Sequence, residues 1–154
     1  MTWNLDSVTF TDGTAAKGSI VMDPAVRVAS DFSVTTEAGA LSAFTFSKAN
    51  SGLYFGVGAG PNNFILFTNT GDRYFNFSFT SPLNAAGGRF ALNTASSYEC
   101  TNCGQFRFVT AGSLTTVQAA ELPEPGTLSL VLAPLALLGA MRRRRSLKTA
   151  ATQA

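Results

Sequence analysis

Apolar residues recur at every second position in several short stretches of the chain. These stretches are Ile20 and Met22, Phe44 and Phe46, Phe75 to Phe79, Phe90 and Leu92, and Phe106 and Phe108. A period of two is the spacing of residues that share one face of a β-strand. No helical period of useful length appears before residue 126. The pattern therefore predicts a β-domain in the N-terminal part of the chain.

Turn-forming residues separate these stretches at intervals of about ten residues. The turn signals are Asp12-Gly13, Asp23-Pro24, Ala38-Gly39, Asn50-Ser51-Gly52, Gly60 to Asn63, Gly71-Asp72, Gly87-Gly88 and Gly112-Ser113. The predicted strands run approximately from 3 to 10, 17 to 23, 26 to 36, 41 to 47, 52 to 58, 63 to 69, 73 to 80, 89 to 94, 105 to 110 and 113 to 118. Strands at this spacing favour antiparallel sheets, so we predict an all-β domain over residues 1–120, built as a β-sandwich or jelly roll.

The chain changes character after residue 120. Residues 126–141 form an uncharged, leucine-rich apolar run, and the cluster Arg142, Arg143, Arg144 and Arg145 follows it directly. A helix of this run would rise about 24 Å against a hydrocarbon core of about 30 Å, and arginine side chains can extend to the headgroups. We predict a single, weakly inserted transmembrane helix over 126–141, with residues 142–154 as a basic cytoplasmic tail. The alternatives are a buried core helix for the run and a lipid-surface or nucleic-acid patch for the arginines.

Pro123, Glu124 and Pro125 stand just before the apolar run. This motif, the short span and the arginine cluster, in this order over residues 121–145, resemble the PEP-CTERM sorting signal of Gram-negative bacteria. The resemblance implies that an exosortase, a membrane-embedded cysteine transpeptidase, processes the protein near the motif within residues 121–125. It also implies a single-pass inner-membrane precursor whose product goes to the cell surface or the exopolysaccharide (biofilm) matrix.

Members of that family normally begin with a secretory signal peptide. Met1 to Asp6 has neither a basic start nor an apolar stretch, and Trp3 to Phe10 has the pattern of a first strand. A start codon assigned too far downstream, a leader trimmed from this sequence and export by the tail alone each account for this difference. We favour the first two explanations.

The charge of the domain differs from that of the whole chain. The formal charge of +2 for the whole chain is misleading, because residues 1–120 contain six basic and seven acidic residues, a charge of −1. Nucleic-acid binding therefore has no electrostatic basis. The thirteen phenylalanines and fourteen glycines, with few charges, are typical of an exported β-rich domain.

The chain contains no histidine. Its absence excludes Ser-His-Asp and Cys-His catalysis and any histidine-based zinc site. A carboxylate pair would have to come from Asp12, Asp23, Asp31, Asp72 and Glu99, nearly all of which lie beside turn residues that explain them equally well. We therefore predict a non-enzymatic protein with no catalytic residue, metal or cofactor, and a carboxylate-based hydrolase is the less favoured alternative.

Two cysteines, Cys100 and Cys103, are separated by two residues. Gly104 and an alternating strand follow them, which indicates a hairpin turn and not the start of a helix. A structural disulfide formed outside the cytoplasm is the favoured interpretation, ahead of a redox role or a zinc site.

Two adjacent aromatic pairs, Tyr54-Phe55 and Tyr74-Phe75, interrupt the alternation. One member of each pair must face away from the core, and Tyr54 and Tyr74 are the predicted exposed members. Exposed tyrosines on a sheet could stack on a sugar ring. A carbohydrate-binding module of the extracellular matrix, with polysaccharide as its partner, is therefore the alternative to a purely structural or matrix-associated role.

Overall fold

A computed structural model describes residues 1–55 and 62–116 of the chain. These residues contain ten β-strands: β1 Thr2–Phe10, β2 Ala15–Asp23, β3 Val28–Thr36, β4 Phe44–Ser47, β5 Ser51–Phe55, β6 Asn63–Thr68, β7 Arg73–Ser78, β8 Arg89–Ala91, β9 Tyr98–Thr101 and β10 Gln105–Thr116. The predicted sorting motif, transmembrane helix and basic tail, residues 121–154, lie outside the described residues.

The strands form one antiparallel sheet in the order β4-β3-β2-β1-β10-β9-β7-β6-β5, and β8 pairs with β10. The first and last strands of this path, β4 and β5, lie close together, so the sheet is nearly closed like a barrel. The prediction of an all-β, antiparallel domain is confirmed. The sandwich or jelly roll was expected to stack two sheets, whereas the strands follow one another in a single curved path.

The long strand β10 is the reason for this continuity. Its residues Val109 to Thr116 pair with β1 along one edge. Along the other edge, Gln105 to Phe108 pair with β9 and Ser113 to Thr115 pair with β8. One strand thus joins both halves of the sheet through hydrogen bonds.

Strand prediction was wrong at two places, both near β10. The strands predicted at 105 to 110 and 113 to 118 are one strand, because Gly112, expected in a turn, adopts a φ of 133° inside it. The strand Tyr98–Thr101 was not predicted, because the cysteine turn beside it concealed its alternation.

Phenylalanine fills most of the space inside the barrel. The largest buried apolar side chains are Trp3, Phe10, Ile20, Met22, Phe46, Phe64, Leu66, Phe75, Phe77 and Leu114. The rings of Phe75 and Phe77 have centroids 4.0 Å apart, and Phe64 stacks on Phe77 at 4.7 Å. Each such side chain stabilises the fold by about 1.5–3 kcal/mol relative to its exposed state.

Trp3 lies in the core, although it is the third residue of the chain. Its side chain is fully buried and its ring lies 5.5 Å from that of Phe90. Trp3 pairs with Ile20 of β2 and Thr116 of β10, so the first strand is in the interior of the sheet path.

Among the residues that the structure describes, no helix has the length and apolar character needed to cross a membrane.

Candidate functional site

Three charged side chains are buried inside the barrel: Arg73 of β7, Glu99 of β9 and Arg107 of β10, of which 5%, 0% and 1% is exposed. Glu99 lies directly opposite Arg107 in the sheet, and β7 is the other neighbour of β9. Glu99 Oε1 accepts from Arg73 Nε at 2.7 Å and pairs with Nη2 at 2.6 Å. Glu99 Oε2 accepts from Arg107 Nε at 2.8 Å and pairs with Nη2 at 2.7 Å. Each carboxylate oxygen therefore accepts a hydrogen bond from the Nε of one guanidinium group and lies in ion-pair contact with its Nη2.

The outer ends of both arginines are also occupied. Arg107 Nη1 donates to Thr14 Oγ1 at 2.8 Å and contacts Asp12 Oδ2 at 3.2 Å. Arg73 Nη2 donates to the backbone oxygen of Ser42 at 2.6 Å. The two guanidinium groups lie over aromatic rings as well, Arg107 at 4.3 Å from the Phe10 centroid and Arg73 near Phe44. The network satisfies its own charges, as buried ions require.

Asp12 links this network to the β1–β2 turn. Partial burial acts to raise the pKa of Asp12, but hydrogen bonds from Thr14, the Ala40 N–H and Arg107 outweigh it and hold the pKa well below its ordinary value. A general acid needs the opposite shift, toward neutral pH. Asp12 therefore does not have the property of a catalytic acid, and Glu99 is closed to solvent and fully paired.

Of the remaining candidate carboxylates, Asp23 and Asp72 are engaged in turns, as the sequence suggested, whereas Asp31 lies within β3 and accepts from the N–H of Phe32 at 2.9 Å. Asp23 Oδ1 accepts from the N–H of Ala25 at 2.9 Å. Asp72 Oδ1 accepts from the hydroxyl of Thr70 at 2.7 Å and from that of Thr68, and these bonds lower its pKa. Within residues 1–55 and 62–116, no three histidine, cysteine, aspartate or glutamate side chains come together as metal ligands.

A shallow recess of about 340 Å³ lies beside Asp72. Its lining residues are Phe44, Asn50, Thr68, Asn69, Thr70 and Asp72. A glycoside hydrolase needs two carboxyl groups across the bond that is cut. The recess offers one carboxylate, already hydrogen-bonded to two threonine hydroxyls, and so lacks that pair.

The outer surface of the barrel has two different halves. On strands β2 to β4 the outward positions are mostly short or polar: Lys17, Ser19, Val21, Asp31, Ser33, Thr35, Thr45 and Ser47. On strands β5, β6, β7, β9 and β10 they are mostly aromatic or apolar. We call the latter set the aromatic face, defined by Tyr54, Ile65, Phe67, Tyr74, Tyr98, Phe106 and Phe108.

The strand register arranges the aromatic face in two rows that run across the strands. One row follows the pairs Phe67–Tyr74, Tyr74–Cys100 and Cys100–Phe106. The other row follows the pairs Tyr54–Ile65, Ile65–Asn76, Asn76–Tyr98 and Tyr98–Phe108. Directly opposite residues have Cβ atoms about 4.5–5.5 Å apart, so side chains within each row are neighbours.

Three members of the aromatic face are well exposed: Tyr54 at 45%, Phe106 at 45% and Phe108 at 46%. The rings of Phe106 and Phe108 are nearly parallel, with an angle of 12° and centroids 6.3 Å apart. Tyr98 contacts both rings with its edge, at 5.6 Å and 6.3 Å. The two phenylalanines therefore present a pair of aligned rings on a supporting tyrosine.

The structure places the predicted tyrosines on the same surface, though not equally. Tyr54 is exposed, whereas Tyr74 is partly buried between Phe67 and Cys100 in the first row. The sequence pattern did not identify Phe106 and Phe108 as exposed residues, because they form an alternating pair like those of the core strands. Arg107 between them was the available signal, because burying that arginine opposite Glu99 turns both phenylalanines outward.

Cys100 and Cys103 are bonded to each other, with Cα atoms 4.9 Å apart. Asn102 and Cys103 both have positive φ, at 48° and 42°, as residues of a tight hairpin turn do. Cys100 is fully buried although it occupies an outward position in the first row, and Cys103 is exposed. The predicted hairpin turn is confirmed, and it brings the two cysteines of the predicted disulfide within bonding distance.

The predicted sorting residues Pro123, Glu124 and Pro125 and the arginines 142–145 lie outside the described residues. No known protein family matches the chain, and neither a curated protein nor a solved structure does.

Proposed function

We propose that the protein is a non-enzymatic exported protein, sorted by a C-terminal PEP-CTERM signal to the cell envelope or exopolysaccharide matrix. The observation that carries this proposal is the order of Pro123-Glu124-Pro125, an uncharged apolar run and four consecutive arginines. The run from 126 to 141 is the transmembrane helix of the precursor, and four adjacent charges stop its transfer. An exosortase removes this anchor, and the β-domain has a structural or matrix-associated role.

The chemistry of the β-domain supports a role without catalysis. Glu99 is buried and fully paired, Asp12 is hydrogen-bonded in its ionised form, and the recess at Asp72 has a single carboxylate. A hydrolase would require two available carboxyl groups in one pocket. The disulfide at Cys100 and Cys103 further supports a location outside the cytoplasm.

Replacing the sorting motif tests this proposal. In the native host, the variant Pro123→Ala/Glu124→Ala/Pro125→Ala should remain in the inner-membrane fraction, because the processing enzyme no longer recognises it. The natural chain should reach the surface or matrix fraction. Thr149→Ala/Thr152→Ala, on the other side of the arginine cluster, is the matched control and should behave like the natural chain. Equal surface delivery of the motif variant would contradict the proposal.

A carbohydrate-binding module is the second candidate function. The aromatic face favours it, because stacking on sugar rings needs exposed aromatic side chains and no catalytic group.

A further inference from the structure

The aromatic face is unusual within its own molecule. All seventeen aromatic residues of the chain lie in the described part, and the three that are well exposed, Tyr54, Phe106 and Phe108, share this one surface. The outward positions of β2 to β4 show that the same barrel can present polar residues to water. Exposed apolar patches of this kind commonly mark binding sites.

The charge of the face restricts its ligand. None of the outward positions in the two rows, which include Gly52 and Asn76, holds a charged residue. An acidic or basic polymer would gain no attraction here and would lose hydration of its charges. The surface therefore suits an uncharged ligand.

The size of the face argues against a second protein copy. Five strands about 4.8 Å apart, with two rows of side chains, give a curved strip roughly 20 Å long and of at most roughly 300 Å². Within it Asn76 and Cys100 are buried, so the exposed part is smaller. A stable protein interface usually buries about 800 Å² on each partner. A narrow strip fits an extended polymer chain better than it fits a globular partner.

The arrangement of groups in the strip matches the chemistry of a sugar polymer. A pyranose ring has an apolar C–H face that packs on aromatic rings, and Phe106 and Phe108 offer two nearly parallel rings. Next to Phe108 on the same outer surface, the hydroxyls of Thr9 and Thr110 lie 2.8 Å apart and are exposed. These hydroxyls can exchange hydrogen bonds with sugar hydroxyls beside the stacked ring.

We propose that the aromatic face binds an uncharged polysaccharide, with Phe106 and Phe108 as the stacking rings. Tyr98 is a positioning residue that holds the two phenylalanine rings through its edge contacts. This inference deepens the proposed function and rests on it, because export to the matrix is what brings the domain into contact with a polysaccharide. It assigns to the aromatic face the binding of the matrix polysaccharide.

The experiment measures binding of the full-length chain, purified in a non-ionic detergent, to two insoluble neutral glucans, amorphous cellulose and curdlan. Immobilised polygalacturonate is the acidic comparison. The natural chain should be retained on at least one neutral glucan, equally at low and moderate salt, and not on polygalacturonate. Phe106→Leu/Phe108→Leu keeps apolar side chains without rings, and it should lower the affinity by about tenfold.

Two further variants separate stacking from general effects. Phe106→Tyr/Phe108→Tyr keeps both rings and should bind like the natural chain. Val26→Ala/Val28→Ala removes exposed apolar side chains from the β2–β3 turn and the first position of β3, 65% and 57% exposed, and should also leave binding unchanged. Circular dichroism and thermal unfolding of each variant check that the fold is kept.

Several results would overturn the inference. These are retention on neither glucan, full binding by the leucine variant, loss of binding in the valine variant, or steep weakening by salt. Self-association that is lost in the leucine variant, without glucan retention, would assign the face to contact between copies instead. Failure here leaves the sorting proposal standing if the anchor is still removed in the native host. Glucan binding by the purified chain, together with an anchor that stays on the protein recovered from the surface of the native host, would defeat the sorting proposal alone.

Discussion

Glu99 is the residue on which the buried charges depend. It is fully buried and pairs with both Arg73 and Arg107, so its removal leaves two guanidinium groups inside the barrel without their main partner. We expect Glu99→Ala to lower the free energy of unfolding by about 3–5 kcal/mol. Urea unfolding followed by circular dichroism measures the change.

The matched control replaces the whole network with apolar side chains. Arg73→Met/Glu99→Leu/Arg107→Met leaves no unpaired buried ion, and such replacements are often neutral or stabilising. This variant should be more stable than Glu99→Ala, although it carries more substitutions. If Glu99→Ala lowers the free energy of unfolding by less than about 1 kcal/mol, the fold does not depend on this network as stated.

Asp12 makes the stability of the fold depend on pH in the acidic range. Its pKa is lowered in the folded chain relative to the ordinary value of 3.8. A lowered folded pKa contributes stability that is present above the unfolded value and is lost as pH falls through the folded value. The free energy of unfolding should therefore decline below about pH 4, and Asp12→Asn should decline less steeply.

Unfolding midpoints in urea between pH 2 and pH 6 test this expectation. Lys17→Gln, which changes an exposed charge on β2, serves as the control and should keep the natural slope. Identical pH dependence in the natural chain and Asp12→Asn would contradict the role given to that carboxylate.

Single residues were predicted unevenly from the sequence, and the reason is physical. Alternation tells which residues share a face of a strand, and the prediction that Tyr54 faces away from the core is confirmed. It does not tell which face is inside. Phe106 and Phe108 face water because Arg107 pairs on the inside with Glu99 of the same hairpin and with Asp12, which is 95 positions away along the chain.

At the scale of elements, β10 depends on a glycine. Gly112 has a φ of 133°, and a Cβ at this position would lie 2.7 Å from the Cα of Val8 on β1. We expect Gly112→Ala to lower the free energy of unfolding by about 1–3 kcal/mol, because it strains the backbone and pushes two paired strands apart. Thermal and urea unfolding both measure this loss.

Gly104 provides the matched comparison in the turn before the same strand. A Cβ there has no atom within 4 Å, and its φ is not in the left-handed region. Gly104→Ala should be neutral or slightly stabilising, because it only restricts the unfolded chain. Equal losses for the two variants would refute the explanation based on close approach.

The β9–β10 hairpin carries the disulfide, and we expect it to contribute little. The bond closes a loop with a sequence separation of three, and so short a loop restricts the unfolded chain by at most about 2 kcal/mol. Cys103→Ser breaks the bond at an exposed position and buries no new hydroxyl. It should therefore lower the free energy of unfolding by less than about 2 kcal/mol. Alkylation without reductant should label neither cysteine in exported protein, and two labelled thiols would contradict the bond.

The elements themselves were largely predictable. Turn residues and alternation located most strands to within a few positions, since both are local signals. They failed at Gly112, which permits a positive φ within a strand as readily as in a turn. They also failed at β9, a strand of four residues that includes the buried charge Glu99.

At the scale of the whole molecule, the path of the sheet was the least predictable property. An antiparallel β-domain followed from strand spacing, but the nearly closed sheet depends on β10 pairing with β1, β8 and β9 at once. The pairing of β1 with β10 joins residues about a hundred positions apart, for example Trp3 and Thr116. No local pattern encodes such a partnership.

The central proposal also concerns the whole molecule: a removable anchor delivers a β-domain without catalytic groups to the cell envelope or matrix. The domain carries a charge of −1, and the five basic residues from Arg142 onward belong to the part whose removal we propose. The surface form should therefore differ from the precursor in mass and in charge together.

The most direct test is the intact mass of the protein recovered from the surface or matrix fraction of its native host. The account predicts a mass that falls short of the full chain by approximately the residues after Pro125, with Arg142 to Arg145 absent. The inner-membrane fraction should contain the longer form. Full-length protein in the surface fraction, with the arginine cluster intact, would contradict the account.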